Sequence, residues 1–134
     1  MTTADKKNRT ALHYAANDGD MEAVKALLAS GSNPDAQDSQ GWSPLHFAAQ
    51  ASSGVVTKSL LAAGATADLR DSNGNTPLFR AVFSYDGDGG AISALLAAGA
   101  DPHAKNQSDV SPVSLARTIA NYDVAKFFAD VAEG

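Results

Sequence analysis

The chain has 134 residues, of which 44% are hydrophobic and 19% are charged, and its formal net charge at pH 7 is −5. This length and composition predict one globular domain over residues 1–134, neither two domains nor a disordered chain. The acidic balance disfavours a nucleic-acid partner, because such binding needs clustered Lys and Arg, and the lack of cysteine excludes disulfides and thiolate chemistry.

The first predicted element is a short helix that begins after Thr10. Thr10 suits the N-cap position, because its hydroxyl can accept a hydrogen bond from a backbone N–H of the first helical turn. A turn at residues 18–20 leads to a second helix. Gly31 can end that helix in the left-handed conformation. The apolar residues of the second helix recur at helical spacing, and they are Met21, Val24, Leu27 and Leu28.

This helix–turn–helix unit recurs along the chain. The segments TALHYAA, SPLHFAA, TPLFRAV and SPVSLAR begin at residues 10, 43, 76 and 111, so the period is 33 to 35 residues. A single helix pair cannot bury its own apolar face, so the copies must stack. The sequence therefore predicts an all-α repeat solenoid of about four units, approximately residues 5–37, 38–70, 71–105 and 106–134.

A turn of the pattern D-x-x-[GND]-x-[ST] precedes each unit, with Asn in place of Asp at residue 106. Its fourth position holds only residues that tolerate a left-handed backbone. These residues are Asn8, Gly41, Gly74 and Asp109.

The repeated segments resemble the ankyrin repeat, whose signature is a 33-residue period with the pattern T-P-L-H-x-A. Residues 43–48 and 76–78 carry the resemblance most clearly, and it extends over residues 5–134. It implies stacked antiparallel helix pairs with hairpin-like loops that project from one edge. It also implies that His13 and His46 are structural and form hydrogen bonds within and between the repeated turns.

The two terminal units are expected to act as caps. In the fourth unit, Val113 and Ser114 replace the Leu-His pair, which indicates a C-terminal capping repeat. No dedicated polar cap precedes the first unit. Its basic residues are expected to serve that role, and they are Lys6, Lys7 and Arg9.

Residues 84–91, with the sequence SYDGDGGA, contain an insertion. The N-cap lies 17 residues before the Leu-Leu pair in the first two units but 19 residues before it in the third, so two extra residues fall within 85–90. Asp86 and Asp88 match the first and third ligands of an EF-hand loop, but Ala91 and Ala97 replace its glycine and glutamate. A phosphate site would need a Lys and a preceding strand. We expect no metal and no cofactor, and either a flexible insertion or a partner contact through Tyr85.

No catalytic constellation is recognised, so we expect a protein that is not an enzyme. The Ser and Thr residues of the repeats are helix caps without a G-x-S-x-G context. The two repeated histidines lack a third zinc ligand.

Positions that differ between the repeats are the expected partner contacts, at the loop tips and on the concave first-helix face. Trp42 is expected to be exposed at a loop tip as an anchor, since Trp, Tyr and Arg dominate interface hot spots. The alternative that it packs across the neighbouring loop remains open. The complete predicted set is Tyr14, Gln40, Trp42, Phe47, Asn75, Arg80, Phe83, Tyr85, Asp86 and Asp88.

These features predict a monomeric protein-binding module. An aromatic strip with acids at its rim favours a partner that offers basic and apolar groups. No apolar run reaches the ~18 residues of a membrane span, and no signal-peptide core is recognised, so we expect a cytoplasmic protein with no membrane partner. The ending SLARTIANYDVAKFF resembles that of small bacterial ankyrin proteins, some of which are thought to be immunity proteins. That resemblance implies an alternative function, the neutralisation of a cognate toxin.

Overall fold

The computed structural model describes residues 7–119 and 123–131. Lys6 of the predicted N-terminal cap and residues 120–122 of the C-terminal ending lie outside the described residues. Within these ranges the chain forms α helices and one 3₁₀ helix but no strand. The helices are α1 (Ala11–Asp18), α2 (Met21–Ala29), α3 (Pro44–Gln50), α4 (Gly54–Ala62), α5 (Pro77–Phe83), α6 (Gly90–Ala97), α7 (Pro112–Thr118) and the 3₁₀ helix (Val124–Phe128).

The helices are arranged in two rows. In the first row α1, α3, α5 and α7 pack against one another in chain order, and in the second row α2, α4 and α6 do the same. Each first-row helix also packs against the second helix of its own unit, and α7 packs against the 3₁₀ helix. Small residues such as Ala16, Ala48 and Ala49 are fully buried in this core, and they let neighbouring helices approach closely. The predicted all-α repeat solenoid is confirmed.

Each first-row helix begins at a hydroxyl N-cap, as predicted. The capping hydroxyl accepts a hydrogen bond from the backbone N–H three residues along the chain. Such a cap stabilises a helix by about 1 kcal/mol. The local sequence therefore sets where each of these helices starts. The caps are Thr10, Ser43, Thr76 and Ser111.

The turns before the second, third and fourth units are closed by a side-chain oxygen. Oδ1 of Asp38 accepts hydrogen bonds from the backbone N–H groups of Gln40 and Trp42, both at 2.9 Å. Asp71 and Asn106 make the same pair of bonds one and two units further on. Asn106 can replace an aspartate because this role needs an acceptor oxygen and no charge.

The fourth position of each turn has a positive φ, which confirms the prediction of a left-handed backbone. The φ values are 59° at Asn8, 79° at Gly41, 80° at Gly74 and 65° at Asp109. Neighbouring turns are joined by backbone hydrogen bonds, for example from Ser72 N to the carbonyl of Gln40 at 2.9 Å. The turns therefore form a continuous edge along the first row.

Candidate functional site

Two positions of each unit place their side chains beside one another, where the turns meet the first-row helices. The residue before the N-cap is Arg9 in the first unit and Trp42 in the second. The residue four places after the cap is Tyr14, Phe47 and Arg80 in units one to three. Because the units stack with a nearly constant period, each position forms a column that crosses the units.

The side chains of these columns, together with Phe83, contact one another within units and across unit boundaries. The Arg9 guanidinium lies 5.1 Å from the ring centroid of Phe47, and the rings of Phe47 and Trp42 are 4.9 Å apart. The Arg80 guanidinium lies 4.5 Å from the Trp42 ring and 5.9 Å from the Phe83 ring. Each contact of this kind contributes about 0.5–1 kcal/mol near a surface. We term this surface the aromatic–guanidinium stripe, and it comprises Arg9, Tyr14, Trp42, Phe47, Arg80 and Phe83.

A buried carboxylate lies behind each guanidinium. Nε of Arg9 donates a hydrogen bond to Oδ2 of Asp38 at 3.1 Å. Nη2 of Arg80 lies 3.6 Å from Oδ2 of Asp71. The hydrogen bond to Asp38, and after it a hydrogen bond with Tyr14, raises the pKa of Arg9, while partial desolvation opposes the rise. The Asp38 carboxylate holds the Arg9 guanidinium in place on the stripe, whereas Asp71 only places a negative charge near Arg80.

His13 and His46 fasten the units to one another. Nδ1 of His46 accepts a hydrogen bond from the backbone N–H of Ser43 at 3.1 Å, and Nε2 donates to the carbonyl oxygen of Asn75 at 2.9 Å. His13 makes the same two bonds, to Thr10 N and to the carbonyl of Trp42. Burial lowers the pKa of His46, so the ring stays neutral at pH 7. Both nitrogens of each ring are engaged, which leaves no lone pair for a metal or for proton transfer.

The family sequence pattern described as "Ankyrin repeats (3 copies)" matches residues 12–106, which is more than half of the chain. The chain belongs to the ankyrin-repeat family. Ankyrin repeats are generally protein–protein interaction modules, and the family is typically non-enzymatic. A comparison with curated proteins finds no significant match. The family match ends before α7, so the fourth helix pair lies beyond the three matched repeats.

The stripe residues differ widely in exposure on this ankyrin-repeat chain. Phe83 is 62% exposed and Tyr14 is 43% exposed. Gln40 is also exposed, at the tip of a turn. Trp42 and Arg80 are partly buried, so Trp42 is not the exposed loop-tip side chain that was expected. Its ring packs instead on Phe47 of its own unit and against the Arg80 guanidinium of the next repeat, both of them helix residues.

Two residues of the predicted set are buried. Phe47 is only 8% exposed, since Trp42 and the Arg9 guanidinium cover its ring. Asn75 is 6% exposed, and its Oδ1 accepts a hydrogen bond from Nδ2 of Asn106 at 2.8 Å. Both residues lie beneath other side chains, so the expectation that they form the outer contact surface is wrong.

Tyr85 also lies inside the structure. It is 5% exposed, its ring packs edge-on against Phe127 at 5.7 Å, and its hydroxyl donates a hydrogen bond to Oδ1 of Asp123 at 2.9 Å. Burial, and after it this hydrogen bond, raises the pKa of Tyr85. Lys126 and then Tyr85 lower the pKa of Asp123 by hydrogen bonding to it. The insertion is therefore fastened to the C-terminal unit through Tyr85, and the expectation of an exposed Tyr85 is wrong.

The two acids of the insertion are exposed but serve the backbone. Oδ1 of Asp86 accepts from the N–H of Asp88 at 3.3 Å, and Oδ1 of Asp88 accepts from the N–H of Gly90 at 3.0 Å. Asp88 also lines an open groove between α4 and α6 with Ser53 and Lys58. That groove belongs to the second row of helices, so Asp88 does not form the expected acidic rim beside the stripe.

Neither a metal cluster nor a membrane span is found in the described part of the chain. No group of three or more His, Asp or Glu side chains there could hold a metal ion. None of its helices is long and apolar enough to cross a bilayer.

The predicted set of partner contacts left out Arg9, which had been considered for the terminal cap and for a loop tip. The repeat period contains the signal that could have placed it. Arg9 lies 33 residues before Trp42, so it holds the same position in the preceding repeat. The roles of Asp38 and Asp71 were also missed, because the Asp38 pair with Arg9 crosses a unit boundary whereas the Asp71 pair with Arg80 lies within the third unit, so no single spacing marks both.

Proposed function

We propose that the chain binds a partner protein through the aromatic–guanidinium stripe, without catalysing a reaction. The continuity of the stripe carries this proposal. Three repeats contribute side chains to one unbroken series of aromatic and cation–π contacts, with the exposed rings of Tyr14 and Phe83 at its margins. Trp, Tyr and Arg are the residue types that dominate the binding energy of protein interfaces.

The stripe is also pre-organised for binding. The Arg80 guanidinium is held between the Trp42 and Phe83 rings, and Arg9 is held by the carboxylate of Asp38. A partner would therefore not have to immobilise these long side chains, which costs about 0.5–1.5 kcal/mol for each flexible one. We assign the outer contacts to Tyr14, Phe83 and Gln40, and the floor of the site to the other stripe residues.

A capture experiment with matched variants tests this proposal. Tagged wild-type protein, Phe83→Ala and Val55→Ala are incubated with lysate of the source organism, and bound proteins are identified by mass spectrometry. Val55 is 61% exposed, almost the same as Phe83, but lies on α4 in the second row. We expect a partner that Val55→Ala retains and Phe83→Ala loses. Loss of that partner only with Val55→Ala would overturn the assignment of the stripe, provided that circular dichroism shows both variants folded.

Toxin immunity is the alternative function, and the resemblance of the C-terminal ending supports it. The captured partner decides between the two possibilities. A partner that is toxic to cells, together with rescue when this chain is co-produced, would support immunity. A captured partner without toxicity would favour a general adaptor.

A further inference from the structure

We infer that the partner presents an Asp or Glu side chain to Arg80, beside an apolar group that packs on Phe83. This inference rests on the proposed function and specifies the chemistry of the partner. It replaces the expected basic partner. Asp88, one of the two acids behind that expectation, lines a groove on the second row, whereas the charged groups on the stripe itself are guanidinium groups.

Arg80 is incompletely paired, in contrast to Arg9. Arg9 donates a hydrogen bond of 3.1 Å to Asp38. The corresponding approach of Arg80 to Asp71 is 3.6 Å, too long for a hydrogen bond. Among the residues that the structure describes, Nε of Arg80 and Oδ2 of Asp71 are both buried without a hydrogen-bond partner. Since the buried Nε is out of reach of a partner, the donors that Arg80 can offer are its Nη groups, which form no hydrogen bond to the described residues.

The Arg80 side chain is held at the surface of the stripe and is partly exposed. Its side chain keeps 16% of its area exposed, and because Nε is buried, that area belongs to the other atoms. Stacking on Trp42 at 4.5 Å holds the guanidinium against that ring. A fixed, planar pair of donors matches the two oxygens of a carboxylate better than a single carbonyl oxygen. The Trp42 ring covers one face of the guanidinium, and the reduced contact with water there strengthens a charged hydrogen bond.

The net charge of the chain limits how an acidic partner can be attracted. The chain has a net charge of −5, so it repels an acidic partner at long range. The carboxylate must then be recognised at contact distance, through Arg80, and not by steering. This favours one acidic side chain within an otherwise apolar contact, in agreement with the exposed Phe83 ring beside the guanidinium.

Selection from a display library of random short peptides tests the inference. We expect the peptides selected by the wild-type protein to be enriched in Asp or Glu next to an aromatic or aliphatic residue. One selected peptide is then synthesised with its acid and, as a counterpart, with the matching amide. By calorimetry, wild type should bind the acid peptide at least about tenfold more tightly than the amide peptide.

Arg80→Gln should bind the two peptides equally. Lys25→Gln is the control, because it removes the same charge from an exposed position on α2 and should keep the discrimination. If Arg80→Gln does not fold, Arg80→Lys replaces it. In Arg80→Lys the ratio of affinities for the acid and amide peptides should fall by about threefold or more, since an ammonium cannot form the two parallel hydrogen bonds.

Three outcomes would overturn the inference. They are a library that yields no acid-enriched peptide, discrimination that persists in Arg80→Gln, and, where Arg80→Lys is used, discrimination that does not change. These outcomes are distinguishable from failure of the proposed function. If the captured partner is still lost with Phe83→Ala, the stripe remains the binding surface and only the acidic chemistry of the partner is wrong.

Discussion

Trp42→Ala is expected to lower the free energy of unfolding by about 2–3 kcal/mol. The contact of its ring with Phe47 at 4.9 Å contributes about 0.5–1.5 kcal/mol. The Arg80 guanidinium at 4.5 Å adds about 0.5–1 kcal/mol. Burial of the covered part of the ring, which packs against the core, accounts for about 1 kcal/mol more.

Urea-induced unfolding, followed by circular dichroism, measures this loss. Tryptophan fluorescence is unsuitable because Trp42 is the only tryptophan in the chain. Phe83→Ala is the matched control. Its ring is 62% exposed, so we expect its removal to cost less than about 1 kcal/mol. Equal slopes of free energy against urea would show that the unfolded and native states are comparable between variants.

Equal and small losses for the two variants would refute this reasoning. They would show that Trp42 is a free surface side chain and that the contacts among the stripe residues do not stabilise the fold. A large loss for Trp42→Ala alone would show that this variant weakens the scaffold as well as any interface. Binding tests should then rely on Phe83→Ala, which is expected to leave the fold intact.

Gly41→Ala is expected to cost about 3 kcal/mol and Gly64→Ala about 1–2 kcal/mol. Both residues have a positive φ, of 79° and 98°, but only at Gly41 would the new Cβ lie 2.7 Å from a backbone nitrogen of the next turn; equal losses in urea would contradict this contact. Burial lowers the pKa of His46, so the unfolded chain binds a proton that the folded ring rejects, and stability should fall as pH drops from about 7.5 to about 5.5. This loss of stability, measured by urea unfolding at each pH, should be smaller in His46→Gln. An equal loss in that variant would show that other groups cause it. Tyr85→Phe removes a hydrogen bond that lowers the pKa of Asp123, so that pKa should rise toward its usual range in a carboxyl NMR titration; no change would mean that the bond is not formed in solution.

The helices and turns could be predicted because their determinants lie within a few residues of one another. A hydroxyl N-cap acts on the backbone three residues further on, and a positive φ depends on the residue itself. Even the replacement of Asp by Asn at residue 106 preserved the turn, because the bonds it accepts come from two and four residues away. Because the unit recurs four times, each of these local signals could be recognised in several copies.

Two of the errors in the predicted site, at Tyr85 and Asn75, have the same physical cause. Tyr85 is bonded to Asp123, 38 residues away, and Asn75 is bonded to Asn106, 31 residues away. Such partners come from a different unit of the solenoid, and nothing in the local pattern marks them. Aromatic and amide side chains look the same in a sequence whether the next unit covers them or leaves them exposed.

The sequence by itself determined the class of protein, because an ankyrin solenoid repeats one short-range set of caps, turns and small-residue contacts. It also determined which positions vary between the repeats, and so which side chains were available for a specific function. Only the tertiary structure decided how those side chains combine. Stacking brought Arg9, Trp42 and Arg80 from three repeats into one surface, and it brought the Arg9 guanidinium within hydrogen-bond distance of Asp38 of the next repeat. Such contacts form only when the units stack, because their partners lie about 30 residues apart in the chain.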